Sequence, residues 1–160
     1  MIENLSKIEK GEYGCFVLTT KLIKRGYSVY RPVLENTKVD IIAEKDNVYY
    51  RIQVKTVQTQ SPSYKLIPVR KLGHSKTKHK VSRYTKESID YFVGVDIETE
   101  DCYVLPVEFS SKYRTGVSVN TCERYKNNFN LEEPYVGDGV SEQQNIGEPL
   151  TGRADGDTEA

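Results

Sequence analysis

No apolar stretch of the 160-residue chain approaches the ~18 residues that a membrane-spanning helix needs. Its longest early run, Cys15 to Leu18, is too short for the core of a signal peptide. Cysteine is sparse as well: Cys15, Cys102 and Cys122 are odd in number, far apart, and form neither a CxxC pair nor a zinc-ligand pattern. Together these absences predict an intracellular, cytoplasmic protein without a membrane partner, its three thiols serving as small buried apolar groups. There is no GxGxxG or Walker-type phosphate loop and no internal repeat, which removes the common nucleotide-binding and solenoid classes. The most informative absence is of acid: between Asn47 and Lys86 there is no Asp or Glu, while ten Lys or Arg occur.

That gap belongs to a wider segregation of charge. From Leu131 onward there are eight acids and a single base, Arg153, whereas the first 130 residues hold 22 bases and 15 acids. A net of +7 followed by −7 suits a polyanion-binding body with an acidic tail. A plain solvated basic loop is the alternative for the acid-free segment. The expected organisation is one domain over 1–130 and a disordered tail over 131–160, whose Gly, Pro, Gln, Asp and Glu content offers little to bury.

Periodicity then places the elements. Leu5 to Arg25 reads as a helix, with a stripe at Ile8, Glu12, Cys15, Thr19 and Leu22 and a stop at Gly26. Tyr27 to Val33 is strand-like, with Pro32 marking an edge or an end. Val39 to Thr56 alternates around Asp46-Asn47 as a hairpin with a two-residue turn. That turn sets Asp40 opposite Gln53, and places Asp40, Gln53 and Lys55 on one face. Tyr64 to Val69 suits a further strand or extended arm, and His74 to Arg83 a polar basic loop. A helix is expected over Ser82–Asp90, strands over Tyr91–Ile97 and Cys102–Phe109, and a short helix over Asn120–Phe129.

Taken singly, Glu12, Asp40 and Lys55 also fit bland roles: a stripe-margin acid, a polar strand face, a solvated or phosphate-contacting lysine. A carboxylate facing a sheet needs a cation or a proton, however. Two carboxylates and an amide oxygen converging on one sheet edge make an oxygen-rich site that suits Mg²⁺. A lysine on the same face can hold a water and stabilise charge developing on a phosphate.

The ordered set Lys10-Gly11-Glu12, Val39-Asp40-Ile41-Ile42 and Gln53-Val54-Lys55-Thr56 resembles the PD-(D/E)XK nuclease superfamily, above all its small single-domain members. These include endonucleases associated with mobile introns and archaeal-type Holliday junction resolvases. The likeness runs well from Ser6 to Thr56 and more loosely to Phe109. It departs from the family pattern at Val39, where proline is usual, and at Gln53, where an acid is usual. The amide oxygen of a QxK variant is a weaker ligand than a carboxylate.

The resemblance implies an α/β, restriction-endonuclease-like fold, an α-β-β-β-α-β core whose mixed sheet is flanked by helices. It implies that Asp40, Gln53 and the Val54 carbonyl bind Mg²⁺, with Mn²⁺ able to substitute, that Glu12 reaches the metal through water or binds a second ion, and that Lys55 orients the attacking water. The product would be a cut DNA phosphodiester. In that setting Lys65, Arg70, Lys71, Lys76, Lys78, Lys80 and Arg83 would neutralise backbone phosphates. Tyr64 and Tyr84 suit either stacking on sugars and bases or the core and its rim, while His74 and His79 suit basic surface better than metal ligation. The partner is DNA, as duplex or four-way junction, and cutting two strands implies a homodimer. A junction resolvase and a DNA-binding module that has lost catalysis are the competing readings. The acidic tail suits a solubilising role or a DNA mimic that competes for the basic face.

Overall fold

In the computed structural model, residues 2–34, 37–69 and 84–132 are described. A short 3-10 turn, Ile2–Asn4, leads into helix α1, Lys7–Ile23. The Ser6 hydroxyl accepts the Glu9 N–H at 3.3 Å and the Glu9 carboxylate accepts the Ser6 N–H at 2.8 Å, so a reciprocal cap fixes the start of the helix. Gly26, at φ +83°, ends the turn that follows.

Five strands form the central sheet in the order β1-β2-β3-β6-β7: Ser28–Tyr30, Ile41–Lys45, Val48–Thr56, Tyr91–Asp96 and Asp101–Pro106. All neighbours are antiparallel except β3 and β6, which run parallel, so the sheet is mixed as expected. A second sheet of three short strands, β4 (Gln58–Ser61), β5 (Tyr64–Pro68) and β8 (Gly116–Ser118), covers part of one face. The short helix α2, Val107–Ser110, and a 3-10 segment, Val119–Tyr125, complete the described chain.

The two faces of the central sheet have separate cores. Ile52, Val54, Val93, Val95 and Val104 pack with Cys15, Val17, Leu18 and Leu22 of α1. Phe92, Tyr103 and Leu105, from the alternate positions, pack with Ile67, Val117 and Tyr84 on the other side. At Gly94 a Cβ would sit 2.7–2.8 Å from three atoms of Ile67, so only glycine lets β5 cross this close. All three cysteines are buried free thiols. No helix among the described residues is long and apolar enough to cross a membrane.

Three sequence expectations change, and one strand, β4, is an addition to them. The stripe of α1 that meets the sheet is Gly14, Cys15, Val17, Leu18 and Leu22, while Ile8 is 81% exposed and Glu12 stands at the exposed margin. Strand β4, with the polar sequence QTQS and every residue exposed, carries no apolar alternation by which to be read. The helix expected at Ser82–Asp90 is, over 84–90, a tight turn closed by Ser88 N–H and Ile89 N–H to the Thr85 carbonyl. Tyr84 is drawn into the core against Phe92, with ring centroids 5.4 Å apart, and this competes with helix continuation. Finally, Leu131 is buried and Glu132 pairs with Lys45 at 3.1 Å, so packing continues past residue 130. The tail expected beyond it lies, from 133, outside the described residues.

Candidate functional site

The hairpin β2–β3 has the expected register. Ile41 faces Ile52 and Lys45 faces Val48, across a turn in which Asp46 and Asn47 both adopt positive φ (53° and 63°). One residue beyond β2 the ladder changes character. Asp40 N–H still donates to the Ile52 carbonyl at 2.9 Å, but the Val54 N–H donates to the Asp40 carboxylate, Oδ2, at 2.8 Å. A side chain has replaced main chain as the partner of β3 at the point where β2 leaves it.

The Gln53 amide completes this junction. Its Nε2 donates to Asp40 Oδ2 and, at 3.2 Å, to the Val54 carbonyl. Gln53 is 5% exposed and pairs with Phe92 across β3 and β6, so it projects on the face away from α1. Lys55 follows two residues on, half-buried on that same face. Asp40, Gln53 and the Val54 carbonyl therefore meet, with Lys55 on the Gln53 face, and the turn length predicts this placement for the three side chains.

Glu12, on α1, has a different partner. Its carboxylate takes a fork from Arg31, Nη1 to Oε2 at 2.8 Å and Nη2 to Oε1 at 3.1 Å. That hydrogen bonding holds the Glu12 carboxyl below the ordinary glutamate range. Asp40 behaves in the opposite way: burial raises its pKa, and the Val54 N–H together with the charges of Lys55 and Arg31 does not fully offset this, while Glu12 adds to it. The Cys15 thiol, pushed up to about 11 chiefly by burial, also feels Asp40, Arg31, Glu12 and Lys55. Two carboxylates and two cations thus share one electrostatic neighbourhood. Arg31 is the member that sequence patterns miss, because its partner lies 19 residues away on another element and no periodicity links them.

The oxygens gathered here are of the kind a hard divalent cation takes, although among the described residues no three His, Cys, Asp or Glu side chains converge. The Gln53 NH₂ group sits within hydrogen-bonding reach of a carboxylate oxygen and a carbonyl oxygen at once, a place of negative potential that a cation can take. Rotating the amide about its last torsion presents Oε1 instead of Nε2, turning the donor into a third oxygen ligand. The remaining expected residues fall elsewhere. Lys65 gives its ammonium to Asp96 at 2.7 Å and Glu98 at 3.0 Å, so its charge is met within the fold. Arg70, Lys71, Lys76, Lys78, Lys80 and Arg83, with His74 and His79, lie outside the described residues. Tyr84 is core, and Tyr64 is 43% exposed at the start of β5.

A mixed sheet with this junction on its central hairpin has a known architectural counterpart. The fold superposes on the bacterial homing endonuclease I-Ssp6803I with a TM-score of 0.66, at 20% identity, covering 71% of this chain and 78% of that one. At that identity the likeness defines a class, the restriction-endonuclease-like fold of nucleases. The family follows from sequence: residues 5–135 match the model of the PD-(D/E)XK endonucleases, and the chain belongs to that family. It is also 38% identical over 61 residues to Protein 5.3 of Escherichia phage T7, a match over 36% of this chain that spans 52% of that protein's length.

Proposed function

We propose that the chain is a Mg²⁺-dependent DNA endonuclease working at the open end of the β2–β3 hairpin. One observation carries this reading: a carboxylate, a main-chain carbonyl and a side-chain amide meet at a single point, with Lys55 on the same face. Asp40, the Val54 carbonyl and Gln53 hold the cation, which when bound supplies the Lewis-acid charge that phosphodiester hydrolysis needs. The Val54 N–H fixes the Asp40 carboxylate, so no rotamer search precedes binding. Lys55 orients the attacking water and offsets charge growing on the phosphate. The basic residues between Arg70 and Arg83 bind the DNA backbone, giving a steep salt dependence. Two copies of the site, in a homodimer, cut the two strands.

The test is cleavage of supercoiled plasmid and of a synthetic four-way junction with Mg²⁺, comparing wild type with Asp40→Ala and Lys55→Ala. Wild type is expected to nick or linearise plasmid. Each substitution should lower the rate by roughly 10³-fold, since each removes several kcal/mol of transition-state stabilisation. Symmetric nicking of the junction alone would transfer the reading to a junction resolvase. Binding of DNA with no cutting of either substrate would leave a binding module.

A further inference from the structure

Among the described residues, two acids, Glu12 and Asp40, and two cations, Lys55 and Arg31, share this electrostatic neighbourhood. Each carboxylate is also covered by a donor of the chain itself. Asp40 is covered by the Gln53 amide and the Val54 N–H, and Glu12 by the Arg31 fork. The Arg31 cover is of a kind that can be exchanged. Side-chain exposure is 43% for Arg31 and 49% for Glu12, and among the described residues both hydrogen bonds of Arg31 go to Glu12. Half-exposed ion pairs contribute little net stability, on the order of 0–1 kcal/mol.

Arg51 shows what a built-in arginine looks like in this fold. Its guanidinium bonds Asp90 and also the carbonyls of Glu87 and Lys86, at 2.5 and 2.7 Å. Arg31 has no such carbonyl anchors among the described residues. It follows strand β1 directly, ahead of Pro32 and the 97%-exposed Val33.

We propose that Arg31 competes with the metal for Glu12, and that metal binding hands Arg31 over to a phosphate of the DNA. The inference rests on the metal-dependent reading above. In the metal-free protein Arg31 neutralises Glu12 and keeps two carboxylates compatible in one neighbourhood. When a divalent cation occupies the Asp40 set, Glu12 turns towards its hydration shell and the guanidinium is released. Its planar fork suits two phosphate oxygens as well as it suits a carboxylate. The site then carries two more positive charges than the metal-free protein, where a phosphodiester must bind. Arg31 is thus a phosphate-binding residue whose availability is coupled to the metal.

The expected sign is unusual for a site residue: removing Arg31 should tighten metal binding. Mn²⁺ binding in the absence of DNA, followed by electron paramagnetic resonance, is the readout, with melting curves verifying that each variant folds. Arg31→Gln should bind Mn²⁺ about 3- to 5-fold more tightly than wild type, the scale of an exposed ion pair. Glu12→Gln should bind it more weakly, and adding Arg31→Gln to that variant should tighten binding by less than it does in wild type. DNA affinity in the presence of Ca²⁺ should fall in Arg31→Gln by about 10-fold, as expected for losing a charged phosphate contact. Unchanged or weakened Mn²⁺ binding in Arg31→Gln would overturn the competition and leave the metal reading intact. Undiminished DNA affinity would overturn the handover. A wild-type protein that binds no Mn²⁺ removes both this inference and the metal site beneath it.

Discussion

Two aspartates flank strand β3 and do the same thing with their carboxylates: Asp40 accepts the N–H of Val54 at 2.8 Å and Asp90 accepts the N–H of Arg51 at 2.8 Å. Their electrostatics are nevertheless opposed. Asp90 receives a full positive charge as well, from the Arg51 guanidinium at 3.0 and 3.1 Å. Burial pushes its pKa up, but the Arg51 bonds outweigh burial and leave it below the ordinary aspartate range. Among the described residues Asp40 is bonded directly only by neutral amides, the Val54 N–H and Gln53, and burial leaves its pKa raised. One acid is finished as a structural clasp. The other is held in position with its burial incompletely offset, the deficit that the proposed cation would relieve.

The contrast is sharpest at Gln53, and the largest effect is expected there. Gln53→Glu places a second buried carboxylate beside Asp40 and removes the donor that now covers it. The metal-free variant should melt below wild type, and Mn²⁺ should bind it roughly 10-fold more tightly or better, because ligand charge sets affinity at such sites. Calorimetric titration and melting with and without Mn²⁺ give both numbers. Equal melting of the two metal-free proteins would mean that Asp40 feels no deficit to begin with.

Asp90→Asn breaks the comparison from its other side. It should destabilise the fold by about 1–2 kcal/mol, a charged hydrogen bond discounted for the solvent exposure of Arg51. DNA cutting per folded molecule should not change. The folded pKa of Asp90 is depressed, so its contribution is fully present above the unfolded value of about 3.9 and is lost as pH falls through the folded value. Denaturant melts of wild type and variant should accordingly converge below about pH 4. The smallest effect is expected at the far end of the hairpin, where Asn47 sits at φ 63°. Asn47→Ala should cost about 1 kcal/mol of stability, through the left-handed backbone alone, with cutting unaltered.

Much of this was open to reading because the hairpin is local. A two-residue turn and alternating side chains fix the register, and the register fixes which face Asp40, Gln53 and Lys55 share. The helix was legible for the same reason: Ser6, Glu9 and Gly26 are punctuation that acts within one or two turns. Non-local choices were not. The inward face of α1 is the stripe of Gly14, Cys15, Val17, Leu18 and Leu22, which meets Val54 and Val95 of the sheet, and not the one that includes Ile8 and Glu12. Arg31 meets Glu12, and Tyr84 meets Phe92, only once separate elements have packed. Strand β5 was legible in Tyr64 to Val69, but its partner β4, polar and exposed throughout, was not.

The parallel pairing of β3 with β6 has a consequence in time. The hairpin that carries the candidate ligands can close quickly by itself, but its partner β6 begins at Tyr91, about 35 residues after β3 ends at Thr56. Contacts of such sequence separation form slowly, after local ones. On a ribosome, Gln53 and Lys55 therefore emerge well before the strand that sets them rigid. The nascent chain passes through a stage in which every residue of the proposed cutting site has been made and none of it can yet cut.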